Sequence, residues 1–185
     1  MATIRQSNMA MADRRVDDAV GIIDGLIERC GGFPGFLETS QVRVAGLEAW
    51  LSLLDIAEDN LRLYDAAGAA LTLLDPDGPP AEQKLITEAL LRRAESADAL
   101  GHEDEAAEAY GKAIARLEEA SPAPTGQLAE CMLRHAVILG NLDRIEETSG
   151  VFARILDRFE ISTEPWAKDA VALAQRWLEA VASDE

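Results

Sequence analysis

The sequence is poor in the groups from which most catalytic centres are built. It holds two cysteines and two histidines in 185 residues, and neither histidine stands at a spacing from another His or Cys that is typical of a metal site. No glycine-rich phosphate loop follows a strand, and no Gly-x-Ser-x-Gly elbow is present. We therefore expect a protein that is not an enzyme, with no catalytic residues, no cofactor and no metal.

The remaining candidates for acid-base chemistry have simpler explanations. Glu118-Glu119 and Glu146-Glu147 lie on polar faces of predicted helices, where solvated carboxylates are the commoner case. His102 belongs to an exposed turn. His135 lies within a predicted helix, and we favour a buried imidazole hydrogen-bonded to a neighbour over a switch that titrates near neutral pH.

Long hydrophobic runs are also lacking. Nowhere do eighteen apolar residues follow one another, and residues 1 to 30 show no long apolar run beside a basic start, so neither a membrane span nor a secretion signal is indicated. Cys30 and Cys131 stand singly on apolar helix faces, which favours reduced thiols in a core over a disulfide framework. These features predict a cytoplasmic protein.

Basic residues are scarce relative to acidic ones. There are 17 Lys and Arg against 34 Asp and Glu, which gives a net charge of −17. Nucleic acids and anionic membranes are bound through basic patches, so direct binding to either is disfavoured. A basic partner would be attracted, although the acidity could also serve solubility or reflect a salty cytoplasm.

What the chain does contain is a series of amphipathic helical patterns with no convincing strand. The predicted single domain, residues 13 to 185, consists of a helix over 13 to 30, hairpins over 39 to 74, 81 to 120 and 127 to 160, and a capping helix over 163 to 183. Residues 1 to 12 form an N-terminal extension that is either frayed or continuous with the first helix. Leu100-Gly101 and Leu139-Gly140 are expected to end the first helices of two hairpins, because glycine adopts the left-handed conformation without strain.

The second hairpin carries a recognisable pattern of small and aromatic residues. Gly101, Ala106, Tyr110 and Ala113 match the tail of the consensus of the tetratricopeptide repeat (TPR) family, which this stretch resembles. The third hairpin departs from it, with Ile145, Ser149 and Phe152 at the corresponding positions. The first keeps the register, 39 residues upstream, with Ala67, Leu71 and Leu74. The resemblance implies an all-α fold of antiparallel hairpins stacked as a short right-handed solenoid of about seven helices, with no sheet.

The same resemblance implies a partner-binding groove lined by the first helix of each hairpin. The residues that fall on its lining positions are Glu88, Leu91, Glu95 and Asp98 in the second hairpin, and Gln127, Glu130 and Arg134 in the third. Family members that clamp a terminal carboxylate use Lys, Arg and Asn, whereas this groove is mostly acidic. We therefore expect a non-enzymatic adaptor that binds a basic peptide or helix of another protein.

Two other functions fit the sequence. The acidic surface could mimic a nucleic acid and inhibit a DNA- or RNA-binding protein, which predicts carboxylates spread over a convex face. Alternatively, the chain could be a regulatory or oligomerisation module of a larger assembly. In that case Trp166 and Trp177 on the last helix would form an apolar edge for a homodimer, rather than part of the core.

Overall fold

The fold consists of α-helices joined by short turns. The computed structural model describes residues 16–29, 40–120 and 125–183, and within these ranges there are eight helices and no strand. They are α1 (Val16–Arg29), α2 (Ser40–Ile56), α3 (Asn60–Leu73), α4 (Pro80–Ala99), α5 (Glu103–Glu119), α6 (Thr125–Asn141), α7 (Ile145–Phe159) and α8 (Pro165–Ser183). The all-α prediction is confirmed, with eight helices where about seven were expected. The extension over residues 1 to 12 and Cys30 lie outside the described residues.

Proline and aspartate set the starts of several helices. Pro80 opens α4 and Pro165 opens α8, positions where the missing backbone N–H would have had no partner within the helix. The side chain of Asp59 caps α3 by accepting a hydrogen bond from the Arg62 backbone N–H, with an N to Oδ1 distance of 3.1 Å. The helix starts thus follow from local chemistry.

A left-handed residue follows each of the helices α2, α4 and α6. These residues are Glu58 with φ 54°, Gly101 with φ 76° and Asp143 with φ 56°. Gly101 ends its helix as the sequence predicts. Gly140 does not, because α6 continues through it to Asn141 and the left-handed step comes three residues later. Aspartate tolerates this conformation better than most side chains, so a glycine is not required there.

Backbone proximity divides the chain into two compact units, with the boundary between Leu100 and Gly101. In the first unit, α2 packs against α1, α3 and α4, and α3 packs against α4. In the second, α6 packs against α5, α7 and α8, and α7 packs against α8. Contact between alternate helices, as in α2 with α4 and α6 with α8, is typical of stacked hairpins. The predicted hairpin over 81 to 120 has one helix in each unit, so its pairing and the single-domain boundaries remain predictions.

Each unit has a core built from the apolar faces that the sequence predicts. Fully or almost fully buried side chains of the first unit include Leu47, Leu51, Leu54, Leu63, Ala66, Ala67, Ala70, Leu85, Ala89, Ala94 and Ala97. Those of the second unit include Ala106, Tyr110, Ala113, Leu117, Leu128, Met132, Leu139, Phe152 and Ile155. The many alanines let helix backbones approach closely. The helical spacing of apolar residues in the sequence also predicts Ala120 and Ile145 on these faces, but both are exposed.

Two ion pairs connect α2 with α4 in the first unit. The buried carboxylate of Glu82 accepts a hydrogen bond from the Arg43 guanidinium, with an Nη2 to Oε1 distance of 2.6 Å. Near the other end of α2, Asp55 Oδ1 lies 3.0 Å from Arg92 Nη1. The two pairs join residues in the same order along both helices, so α2 and α4 run parallel. Arg43 and Glu82 are 39 residues apart in the sequence, the same offset that relates the first two predicted hairpins.

Candidate partner-binding faces

The four predicted binding residues of the second hairpin all lie on α4. Glu88 and Glu95 are half-exposed, and Asp98 is exposed. Leu91 is only 9% exposed, so it offers a partner little area to contact. Leu91, Glu95 and Asp98 follow Glu88 by three, seven and ten residues, and these spacings place the four side chains on one face of a helix. The structure therefore brings three carboxylates and one leucine together along α4.

Helix α2 adds carboxylates that are not among the residues predicted to line the groove. Arg92 of α4 bridges Asp55 and Glu95, with Nη1 to oxygen distances of 3.0 and 3.6 Å. Glu48 precedes Asp55 by seven residues and Glu88 precedes Glu95 by seven, so each lies on the same helix face two turns earlier. Glu48 and Glu88 make no ion pair in the described part of the chain.

We name Glu48, Asp55, Glu88, Glu95 and Asp98 the α2/α4 acidic face. Arg92 offsets part of the negative charge of these five carboxylates, because it forms ion pairs with two of them, Asp55 and Glu95. The 39-residue register of the repeats does not locate the α2 members, because from Glu88 and Glu95 it leads to Ala49 and Ile56, one residue after Glu48 and Asp55. The face retains an excess of negative charge.

The predicted face of α6, in the second unit, is balanced in charge. Gln127, Glu130 and Arg134 are all exposed. Glu130 Oε1 accepts from Arg134 Nη2 at 3.1 Å and from Arg134 Nε at 3.3 Å. One turn further on, Val137 is 50% exposed. A surface pair of this kind contributes little to stability, but it leaves this face without the net negative charge that was expected of the groove.

The two tryptophans of α8 pack on α7. The ring centroids of Trp177 and Phe152 are 5.3 Å apart, and those of Trp166 and Phe159 are 5.5 Å apart in an edge-on arrangement. Both tryptophans remain half-exposed. Edge-on and tilted aromatic pairs stabilise a contact beyond the area that they bury. The rings therefore hold α8 in place, and their use in a homodimer stays a prediction.

In each of the acidic pairs Glu118-Glu119 and Glu146-Glu147, one carboxylate accepts hydrogen bonds from an arginine. Arg144 donates two hydrogen bonds of 2.6 Å to the carboxylate of Glu147, and this pairing holds the pKa of that carboxyl below its ordinary value of 4.5. Glu118 Oε1 accepts from Arg154 Nη2 at 2.6 Å. Among the residues that the structure describes, no three His, Cys, Asp or Glu side chains form a group able to hold a metal ion.

His135 differs from the favoured interpretation of the sequence. Its imidazole is half-buried on α6, and Nδ1 is shielded from water without a hydrogen-bond partner in the described structure. His102, at the start of α5, is exposed, with Nδ1 3.4 Å from Glu105 Oε2. The hydrogen bond expected of a buried histidine is thus missing at one ring nitrogen.

None of the described helices combines the length and the apolar character needed to cross a membrane.

The helix order, the contacts between alternate helices and the repeated turns define the fold as a TPR-like helical repeat, which confirms the resemblance seen in the sequence. Two crystal structures of nearly identical TPR-like repeats are similar to this chain. Both come from a Podosopora anserina protein described as a kinesin light chain, and one of them is of a variant in which a glutamine is replaced by methionine. Their TM-scores are 0.62 and 0.61, at 13% and 14% sequence identity, with 98% of this chain and 92% of the other covered in each case.

No protein-family model matches the chain, and no curated protein matches it either. At such low identity the two crystal structures define the fold alone.

Proposed function

We propose that this chain is a non-enzymatic protein-interaction scaffold that binds a basic segment of a partner protein. The observation that carries the proposal is the TPR-like fold over 98% of the chain. Stacked helical hairpins present rows of side chains from successive helices to a partner. The described residues offer no cluster of His, Cys, Asp and Glu that would instead favour metal-dependent chemistry.

The α2/α4 acidic face is the surface that we assign to the basic segment. Glu48, Glu88 and Asp98 take part in no ion pair in the described structure, so a partner could neutralise them without first breaking a contact within the chain. Leu91 lies among them with little exposed area. Charged pairs across an interface contribute to specificity and to the rate of association, which suits a Lys- or Arg-bearing peptide.

The charge of the whole molecule supports the same partner. A net charge of −17 attracts a basic protein from a distance and accelerates its encounter at low salt. A partner that ends in an anionic group is disfavoured, because Arg92 already contacts Asp55 and Glu95, and Arg134 already contacts Glu130. Arg92 on the α2/α4 acidic face and Arg134 on α6 are therefore already paired with carboxylates of this chain.

A double charge reversal on α4 tests the proposal. Glu88→Lys with Asp98→Lys removes two carboxylates that take part in no ion pair among the described residues. It should weaken binding of a Lys- and Arg-rich helical peptide of about four turns by about tenfold or more. Binding would be measured as the anisotropy of the labelled peptide at low and at high salt. The matched control is Asp157→Lys with Glu179→Lys, which changes the net charge equally at exposed positions of α7 and α8.

Equal weakening by the two double variants would contradict the assignment, since only long-range attraction would then be at work.

The nucleic-acid mimic makes a different prediction. Helix α5 holds six acidic residues and two basic ones in 17 positions, and a mimic would lose its partner on reversal of these carboxylates. Duplex DNA would also displace that partner, whereas the α4 reversal would leave binding intact.

A further inference from the structure

His135 lies where α6 meets the backbone of α5. A Cβ atom added to Gly111 of α5 would stand 3.7 Å from His135 Cε1 and 3.8 Å from Nε2, in ordinary van der Waals contact. The imidazole therefore rests against a part of α5 that has no side chain. The ring is half-buried, and its position depends on the close approach of these two helices.

One ring nitrogen is isolated from every hydrogen-bonding group that the structure describes. Nδ1 of His135 is buried and has no partner. A neutral imidazole can leave this nitrogen unprotonated, but the imidazolium carries a hydrogen on both nitrogens. Protonation would then add a buried donor without an acceptor, which costs the desolvation of that group.

The charges that act on the ring come from α7 and the residue before it. Arg144 and Arg154 oppose a positive charge on His135, and Glu147 favours one. Glu147 is bound to Arg144 through two hydrogen bonds of 2.6 Å, and Arg154 is bound to Glu118 of α5. The carboxylate that could stabilise an imidazolium is thus already paired with a cation.

The other charged groups on the neighbouring helices are exposed or half-exposed, and the half-exposed ones on α5 are Glu103, Arg116 and Glu118. On α5, Glu108 and Lys112 flank Gly111 and pair with each other at 2.5 Å. On α8, which also packs against α6, the exposed charged side chains are Lys168, Asp169, Arg176 and Glu179. No buried acid from the described part of either helix offsets a charge on the ring.

We propose that His135 is an acid-sensitive latch of the second unit, which holds α6 against α5 and α7 while its imidazole is neutral and loosens this packing when it is protonated. The latch does not depend on the proposed partner. It would nevertheless affect α6, the helix that presents Gln127, Glu130 and Arg134.

Burial is the main cause that lowers the pKa of His135 from 6.5, and Arg144 and Arg154 lower it further. In the unfolded chain the imidazole regains its ordinary pKa, so between the two values the unfolded state binds more protons. The contribution of neutral His135 to the free energy of unfolding is therefore fully present above pH 6.5, and it is lost as the pH falls through the folded-state pKa. Glu147 acts in a different window, below its ordinary pKa of 4.5.

A proton titration followed by NMR tests the electrostatic half of the proposal without altering His135. The chain has two histidines, so the ring carbon-bound protons give two titration curves, and the variant His102→Gln assigns them. We expect the His135 curve to have its midpoint below pH 6.5. A midpoint at or above 6.5 would overturn the proposal.

Hydrogen exchange with mass spectrometry tests the structural half. The wild-type protein and its His135→Gln variant would be compared at matched pH values between about 7.5 and 5, with His102→Gln as the control. We expect α5 and α6 peptides of the wild type to lose protection relative to His135→Gln on acidification, by about tenfold for each unit by which the pKa is lowered. His102→Gln should follow the wild type.

Identical exchange in the wild type and His135→Gln would overturn the latch. So would an equal loss of protection in α3 and α4, because those helices belong to the first unit and the latch acts within the second.

Discussion

A carboxylate that is withdrawn from water needs compensation, because its charged form loses favourable hydration. Glu82 finds this compensation on both sides of its carboxylate. Oε1 accepts a hydrogen bond from Arg43 of α2, and Oε2 accepts one of 2.9 Å from the Asp75 backbone N–H. A single side chain at the start of α4 thus connects a second helix and the turn over residues 75 to 80.

Replacement of Glu82 by glutamine should destabilise the first unit by about 2–3 kcal/mol, since Arg43 would keep its charge without a counter-charge. Glu88→Gln is the matched control on the same helix and should cost less than about 0.5 kcal/mol, because that side chain pairs with no cation among the described residues. Urea unfolding followed by circular dichroism would measure both. Similar losses in the two variants would mean that the buried pair contributes little.

At the scale of the helices, the turns are the decisive elements. The three left-handed residues, Glu58, Gly101 and Asp143, each follow the first helix of a predicted hairpin. Only one of them is a glycine. A repeated geometry is therefore achieved with three different residue types, two of which, Glu58 and Asp143, hold a conformation that L-residues adopt at some cost.

Gly101→Ala should destabilise the protein by about 1–2 kcal/mol, because a Cβ atom is strained at a φ of 76°. Gly150→Ala on α7 provides the comparison. A Cβ there would meet no atom within 4 Å, and alanine is favoured over glycine in a helix by up to about 1 kcal/mol. Thermal unfolding should move in opposite directions for the two variants. A shift in the same direction would contradict the role of the left-handed turn.

The sequence predicted the helices well because each has an apolar face at helical spacing, and those faces are buried. It placed the end of α6 at Gly140, three residues before the left-handed Asp143, since glycine is a more visible signal than aspartate. The contact of Glu130 with Arg134 follows from their spacing in one helix. The contact of Asp55 with Arg92 does not, because it depends on how α2 packs beside α4.

On the scale of the whole molecule, negative charge is distributed unevenly. Helix α5 holds six acidic and two basic residues, whereas α6 holds one acidic and one basic residue. The net charge of −17 must generate repulsion within a folded chain of this size. Salt screens such repulsion, with a Debye length of about 10 Å at about 0.1 M.

Addition of salt from about 0.02 to about 0.3 M should therefore raise the thermal midpoint, because screened repulsion outweighs the small loss from exposed ion pairs. The variant Glu88→Lys with Asp98→Lys carries four fewer net negative charges and should gain less from salt. Differential scanning calorimetry would measure both proteins. A midpoint that falls with salt would show that the surface ion pairs dominate.

The packing of α8 on α7 has a spectroscopic consequence. Two of the three tryptophans, Trp166 and Trp177, lie on α8 against phenylalanine rings, and the third, Trp50, lies on α2. Intrinsic fluorescence is therefore weighted toward the last helix of the second unit. In a Trp50→Phe background, the emission would follow the detachment of α8 from α7 without any attached dye.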